Sequence, residues 1–257
     1  MRQKLNILAV AFLLASPAAA ETKSMVALYK VQFGKLNEYI ATLKAVVAPA
    51  LDRLVSDGVI ESYGVDIDVL HSPNQPNLAA WFSGPTYASL QKADETVLAA
   101  LASHPQESRM LLEGADMNAH SDLLLEASTS KFGHIPDGAM PFKMLIYERV
   151  KPAKISDYLK YGTKYFTPVY DQLIKDGVVY GYQVFEQAVH TQDPGGIWIV
   201  VTVPDMATLD KLDTVFEARM KAMPPDEKSI MENSTRDWTD EAAHRDYVMR
   251  AVAFKMK

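Results

Sequence analysis

The chain of 257 residues resembles itself at a fixed spacing of 119 positions. Residues 31–94 align with residues 150–213 without a gap, and 17 of these 64 positions are identical. A second block, Ala119-His120-Ser121-Asp122, corresponds to Ala243-His244-Arg245-Asp246. Because a repeated segment indicates a repeated structural unit, the sequence predicts two copies of one fold.

Each copy alternates between a strand period of two and a helix period of 3.6. In the first copy, strands are predicted at 25–31, 59–70, 78–83 and 123–131, with one helix over 36–55 and another that opens at Pro85. This order, β-α-β-β-α-β, is typical of ferredoxin-like units. Such a sheet carries helices on one face only, so its other face must be covered. We therefore predict an α+β protein: two ferredoxin-like repeats, packed sheet-to-sheet as an intrachain α/β barrel.

The first twenty residues have the layout of a secretory signal: a basic start, an apolar run over 5–15 and a small-residue end. We expect a signal peptide over 1–20, a first repeat over 21–132, a linker rich in Gly and Pro over 133–141, and a second repeat over 142–257. The product is expected to be periplasmic or secreted. No later stretch reaches the roughly 20 apolar residues of a membrane span.

Composition excludes several classes of function. The formal net charge is -6, and a nucleic-acid ligand would need clustered Lys and Arg. The chain contains no cysteine, which excludes disulfides, thiolate nucleophiles and thiolate metal ligands. Glycine-rich phosphate loops and nucleophile elbows are also missing from the sequence.

Charges and tryptophans on the strands suggest a pocket. Copy one has Lys30 in its first strand and Glu126 in its last, and copy two has Glu148 in its first strand and Arg250 in its last. Since the first and last strands of a ferredoxin-like sheet are antiparallel neighbours, we predict two ion pairs, Lys30 with Glu126 and Glu148 with Arg250. Strand parity also turns the two tryptophans inward. The expected pocket is lined by Lys30, Trp81, Glu126, Glu148, Trp198 and Arg250. The alternative, that these pairs only neutralise buried charge, stays open.

Histidine is the other candidate, because its ring exchanges protons near neutral pH. His71 and His190 recur at the end of the second strand, and His120 and His244 recur just before the last strand. We predict these four as acid/base residues, with hydrogen bonding at strand ends as the alternative. No HxxxH or HExxH spacing supports a metal site, so no metal is expected.

Element order, duplication and length resemble the dimeric α/β-barrel superfamily over residues 25–257, including its antibiotic-biosynthesis monooxygenase, EthD and NIPSNAP groups. The resemblance implies a small apolar or aromatic ligand held inside the barrel. It also implies oxygenase-like chemistry without a cofactor as one activity, although the sequence does not decide whether the chain is an enzyme. Two alternatives are a heme protein of the chlorite dismutase type, ligated by His190 or His244, and a non-catalytic interaction protein. Homo-oligomer formation also stays open.

Overall fold

A computed structural model describes residues 21–70, 75–189 and 194–257. The predicted signal segment, His71 and His190 therefore lie outside the described residues. None of the helices that the model describes is long and apolar enough to cross a membrane.

The described chain forms an α+β fold around a closed barrel of eight antiparallel strands. The strands are β1 (Lys23–Tyr29), β2 (Ser62–Asp68), β3 (Leu78–Gly84), β4 (Ser121–Phe132), β5 (Phe142–Arg149), β6 (Gly181–Gln187), β7 (Gly196–Val203) and β8 (Arg245–Met256). Around the barrel they follow the order β1-β3-β2-β8-β5-β7-β6-β4. Four neighbouring strands come from the first half of the chain and four from the second half.

Helices cover the outside of the barrel. They are α1 (Leu36–Thr42), α2 (Ala48–Ser56), α3 (Tyr87–Ala102), α4 (Pro105–Gly114), α5 (Ile155–Tyr165), α6 (Thr167–Lys175), α7 (Thr208–Ala222) and α8 (Pro225–Trp238). The segment that joins α1 to α2 is a π turn over Leu43–Val47. Two of these helices, α4 and α8, fall in segments to which the sequence assigned no element.

The two halves join edge to edge. Strand β2 pairs with β8, and β4 pairs with β6, so hydrogen bonds run around the whole barrel. Both seams contain a shift of register, at Val65/Asp66 and at Ala127/Thr129. Because closure leaves no strand edge exposed, the sheet is protected against pairing with other chains. The prediction of an α/β barrel is confirmed, and its closure is by strand pairing at two seams.

Residues of both faces of the sheet are buried, one set in the barrel lumen and the other under the helices. The apolar alternation of Leu123, Leu125 and Ala127 predicts that these side chains face the helices, and this prediction is wrong. Leu123 and Leu125 pack in the lumen against Val26 and Phe185. Alternation identifies the buried face of β4, but it does not show whether the lumen or the helices cover that face.

Candidate functional site

The six residues of the predicted pocket do not meet. Antiparallel pairing brings Lys23 opposite Glu126, and these two side chains form the ion pair. Lys30 follows the other end of β1, seven residues away, or about 23 Å at the strand rise per residue. The predicted pair of Lys30 with Glu126 is therefore wrong.

The second predicted pair fails for the same reason. Arg250 lies opposite Phe142 at the start of β5, whereas Glu148 lies near its end. Arg250 is exposed, and Glu148 bonds to His244. Trp81 and Trp198 line the lumen, on the opposite face of the sheet from Glu148. The structure thus separates the predicted residues between two different spaces.

The larger of these spaces is a cavity of about 420 Å³ between the helices and the sheet of the second half. Such a volume lies within the range of small-molecule sites. Helices α5 and α6 form one wall, and strands β5, β6 and β7 form the floor. Seven aromatic side chains line the cavity: Tyr158, Tyr161, Phe166, Tyr170, Tyr182, Phe216 and Trp238.

The corresponding space in the first half is filled by side chains. Leu43, 7% exposed, belongs to a packed core there. The position 119 residues later is Gly162, where an added Cβ would meet no atom within 4 Å. Tyr29 packs against the same first-half core, and its counterpart is Glu148. Replacement of leucine by glycine and of tyrosine by glutamate therefore accounts for a cavity in the second half at positions where the described first half has a packed core.

A histidine and two carboxylates lie at one end of the cavity. His244 Nδ1 is 2.9 Å from Glu148 Oε1, and its Nε2 is 3.1 Å from Asp246 Oδ2. Burial disfavours the charged ring, but hydrogen bonds to Asp246 and Glu148 outweigh burial and raise the pKa of His244 above its ordinary value of 6.5. The side chain of Glu148 is 13% exposed. The ring thus shares its protons with a carboxylate that faces the cavity.

His120 occupies the matching place in the first half with different partners. Its Nδ1 lies 3.1 Å from the carbonyl oxygen of Leu28, and its ring stacks on Tyr29 at 4.6 Å between centroids. Its Nε2 lies 3.2 Å from Asp122. His120 is therefore held by the backbone and an aromatic ring, in agreement with the hydrogen-bonding alternative. An acid/base role for the predicted histidines is not tested by these contacts.

One polar atom of the cavity wall has no partner within the described part of the chain. The hydroxyl of Tyr161 is buried and forms no hydrogen bond there. Burial also raises the pKa of Tyr161 to about 12, with the nearby Tyr165 and Glu227 adding to the effect. A neutral phenol is a hydrogen-bond donor as well as an acceptor. Tyr161 is thus available to a ligand oxygen.

The lumen contains a second polar cluster in a cavity of about 80 Å³. Lys143 Nζ lies 2.6 Å from Asp66 Oδ2, and both side chains are almost fully buried. Trp81 Nε1 donates to the same oxygen at 2.6 Å, and its ring packs over Gly64. Burial lowers the pKa of Lys143, although the Asp66 carboxylate opposes that shift. This ion pair links β2 of the first half to β5 of the second half.

The lining of the larger cavity does not fit a histidine-ligated heme. His244 lines this cavity, and a carboxylate lies within hydrogen-bond distance of each of its ring nitrogens. An axial ligand needs a free nitrogen. His190 lies outside the described residues. Among the residues that the structure describes, no group of three or more His, Asp or Glu side chains is arranged to hold a metal ion.

Sequence reasoning missed Gly162, Tyr161 and Lys143. Gly162 could have been found by comparing the two copies, because a glycine stands where the first copy has a leucine. Lys143 pairs with a residue 77 positions away, and only the closed barrel brings the two strands together. No sequence signal identifies the unpartnered hydroxyl of Tyr161.

The fold is similar to that of several solved structures. A candidate monooxygenase from Fusobacterium nucleatum has a TM-score of 0.63 with 10% identity, over 93% of this chain and 96% of that chain. An anthrone oxidase-like protein has a TM-score of 0.56 with 9% identity, over 92% and 93%. A mutant chlorite dismutase from Candidatus Nitrospira defluvii has a TM-score of 0.53 with 8% identity, over 90% and 91%.

These neighbours share the dimeric α/β-barrel type of fold. No family model matches the sequence, and no curated protein matches it. At such low identity the likeness concerns the fold alone.

Proposed function

We propose that this chain is an exported protein that binds a small, mainly aromatic molecule in the second-half cavity and removes a proton from it. The single observation that carries the proposal is the difference between the two halves. The first half fills the space under its helices with Leu43 and Tyr29, whereas the second half has Gly162 and Glu148 there. Loss of packing costs stability, so an open, aromatic-lined cavity in one half favours a ligand site.

We further propose that the halves are tandem ferredoxin-like repeats. Each half contains its strands and helical regions in the order β-α-β-β-α-β, with the first helical region divided into two helices and an extra helix before the last strand. The 119-residue spacing of identical positions supports this reading. Divergence of one copy then accounts for a cavity on one side only.

The chemistry of the site follows from two polar groups of the cavity lining, the Glu148 carboxylate and the Tyr161 hydroxyl. A ligand hydroxyl donates to the Glu148 carboxylate, and a second ligand oxygen accepts from the Tyr161 hydroxyl. When His244 is neutral, the Glu148–His244 pair takes the hydroxyl proton, which leaves a ligand oxyanion and a protonated ring between two carboxylates. A base with a pKa near the working pH is best suited to such a transfer. This step is the part of cofactor-independent oxygenase chemistry for which the cavity has residues.

The two alternatives from the sequence receive less support. A heme protein would need a free axial nitrogen, and His244 has both of its nitrogens engaged. An interaction protein with a filled interior would not need a cavity of about 420 Å³. Both alternatives predict no specific binding of small phenols.

Binding of esculetin, a fluorescent dihydroxycoumarin, tests the proposal. We expect saturable binding to one site, and at least tenfold weaker binding by Glu148→Gln, since a hydrogen bond to a charged group contributes about 1.5–3 kcal/mol. The matched control, His120→Ala, alters the first half and should bind as the wild type does. Absence of saturable binding, or equal loss in both variants, would contradict the proposed site.

A further inference from the structure

A groove with both apolar and polar lining residues continues from the second-half cavity to the surface. Its volume is about 450 Å³, and it shares Ser128, Thr129, Leu159 and Thr163 with the cavity. Its other lining residues are Ile155, Ser156, Lys160 and Glu186. The groove thus combines four hydroxyl side chains with one cation and one carboxylate.

The groove lies along the seam between β4 and β6, where the register shifts between Ala127 and Thr129. At this shift the Ser128 hydroxyl donates to the carbonyl oxygen of Val184 at 3.1 Å. A β-bulge leaves a residue outside the regular ladder and bends the strand. The groove is therefore built into the barrel closure and does not depend on a surface loop.

The opposite seam, between β2 and β8, is closed by apolar side chains. The residues that correspond to Ser128, Thr129 and Glu186 are Val252, Ala253 and Ile67. Ala253 is buried in the first-half core, and Val252 and Ile67 pack against it. The two seams thus have the same backbone arrangement but different side chains. Apolar side chains close the seam between β2 and β8, whereas hydroxyls and a carboxylate line the seam between β4 and β6.

We infer that the ligand has two parts: an aromatic body in the cavity and a polyhydroxylated, uncharged tail that lies in the groove against Ser128, Thr129, Thr163, Lys160 and Glu186. Hydroxyl side chains and one charge of each sign can donate to and accept from such a tail. A tail with net charge would be attracted to one of Lys160 and Glu186 and repelled by the other. This inference rests on the proposed function, because the body occupies the proposed site.

Esculetin and its 6-O-glucoside, esculin, are a matched pair of probes. Both keep a free phenol for Glu148, and only esculin has a sugar tail. We expect the wild type to bind esculin at least about tenfold more tightly than esculetin, measured by fluorescence titration at constant pH and salt.

The test variant changes a residue that lines the groove and not the cavity, and gives it the residue of the closed seam: Glu186→Ile. It should lose the preference for esculin and keep its affinity for esculetin within about twofold. Lys160→Ala, on an exposed helical position, should reduce esculin binding alone and keeps the test valid if Glu186→Ile does not fold. Lys175→Ala, at the end of α6, is the control and should bind both probes as the wild type does.

The outcomes separate this inference from the proposed function. If both probes bind equally to the wild type, or if Glu186→Ile and Lys160→Ala keep the preference for esculin, the tail site is refuted and the proposed function stands. Equal loss of affinity for both probes in Glu186→Ile would show that the change disturbs the cavity itself, which also refutes a tail site. If neither probe binds the wild type, the proposed function fails, and this inference fails with it.

Discussion

Filling the cavity with a leucine at position 162 should stabilise the protein and abolish ligand binding. Gly162 lies in the interior of helix α5, with no atom within 4 Å of the place of its missing Cβ. The change Gly162→Leu reproduces Leu43 of the first half, which is buried in a packed core. It therefore tests whether the open cavity is maintained at a cost in stability.

Two contributions set the expected gain in the free energy of unfolding of Gly162→Leu. Replacing glycine within a helix gains about 0.5–1 kcal/mol, and burying a leucine side chain gains about 1.5–3 kcal/mol. Allowing for imperfect packing, we expect the free energy of unfolding to rise by about 1–3 kcal/mol. At roughly 2–4 °C per kcal/mol for a chain of this size, the Tm should rise by about 2–12 °C. Affinity for esculetin should fall at least about 100-fold, because the side chain occupies the ligand's space.

Thermal unfolding followed by circular dichroism gives the stability, and fluorescence titration gives the affinity. The matched control is Leu43→Ala, which should lower the free energy of unfolding by about 2–5 kcal/mol and leave esculetin binding unchanged. A destabilised Gly162→Leu variant that still binds esculetin normally would refute the reasoning, since the position could then not be part of the cavity.

Three further predictions concern polar groups. Tyr161→Phe removes a buried hydroxyl without a partner, so stability should stay the same or rise by up to about 1 kcal/mol, while esculetin affinity falls about 5- to 10-fold; a clear loss of stability would contradict this. Asp66→Ala leaves the buried charge of Lys143 uncompensated and should cost about 3–5 kcal/mol in urea unfolding, and the double change Asp66→Leu with Lys143→Met should recover most of it. The absorbance of bound esculetin should change to that of the phenolate as pH rises through the raised pKa of His244, because only the neutral ring accepts the proton. Asp246→Asn removes the largest contribution that raises this pKa and leaves Glu148 in place, so it should move the midpoint to lower pH; an unchanged midpoint would contradict the proposed coupling.

The order of the strands and of the first and second predicted helical regions was predictable from local hydrophobic periods, whereas helices α4 and α8 were not predicted. The strand predicted at 123–131, for example, is β4 over Ser121–Phe132. The orientation of that strand was not predictable. Leu123 and Leu125 pack in the lumen, whereas the opposite face of β4 carries Asp122, Glu126 and Ser128, which are partly or fully exposed. Alternation identifies the buried face of a strand, but it does not show whether the lumen or the helices cover that face.

The candidate site was predicted only in part. His244 and Glu148 were both proposed from the sequence, but Glu148 was assigned the wrong partner. Antiparallel register places the end of β5 opposite the start of β8, so His244, just before β8, reaches Glu148 and Arg250 does not. The cavity itself follows from the lack of a side chain at Gly162, and a missing side chain gives no signal in hydrophobic periodicity.

A co-crystal structure with esculetin tests the central claim most directly. We expect ligand density between helices α5 and α6 and the sheet of the second half, with one oxygen within hydrogen-bond distance of Glu148 and another within reach of the Tyr161 hydroxyl. The corresponding region under α1 and α2 should contain protein atoms only. Ligand density confined to the lumen or to the first half, or none at a ligand concentration that saturates binding in solution, would contradict the account.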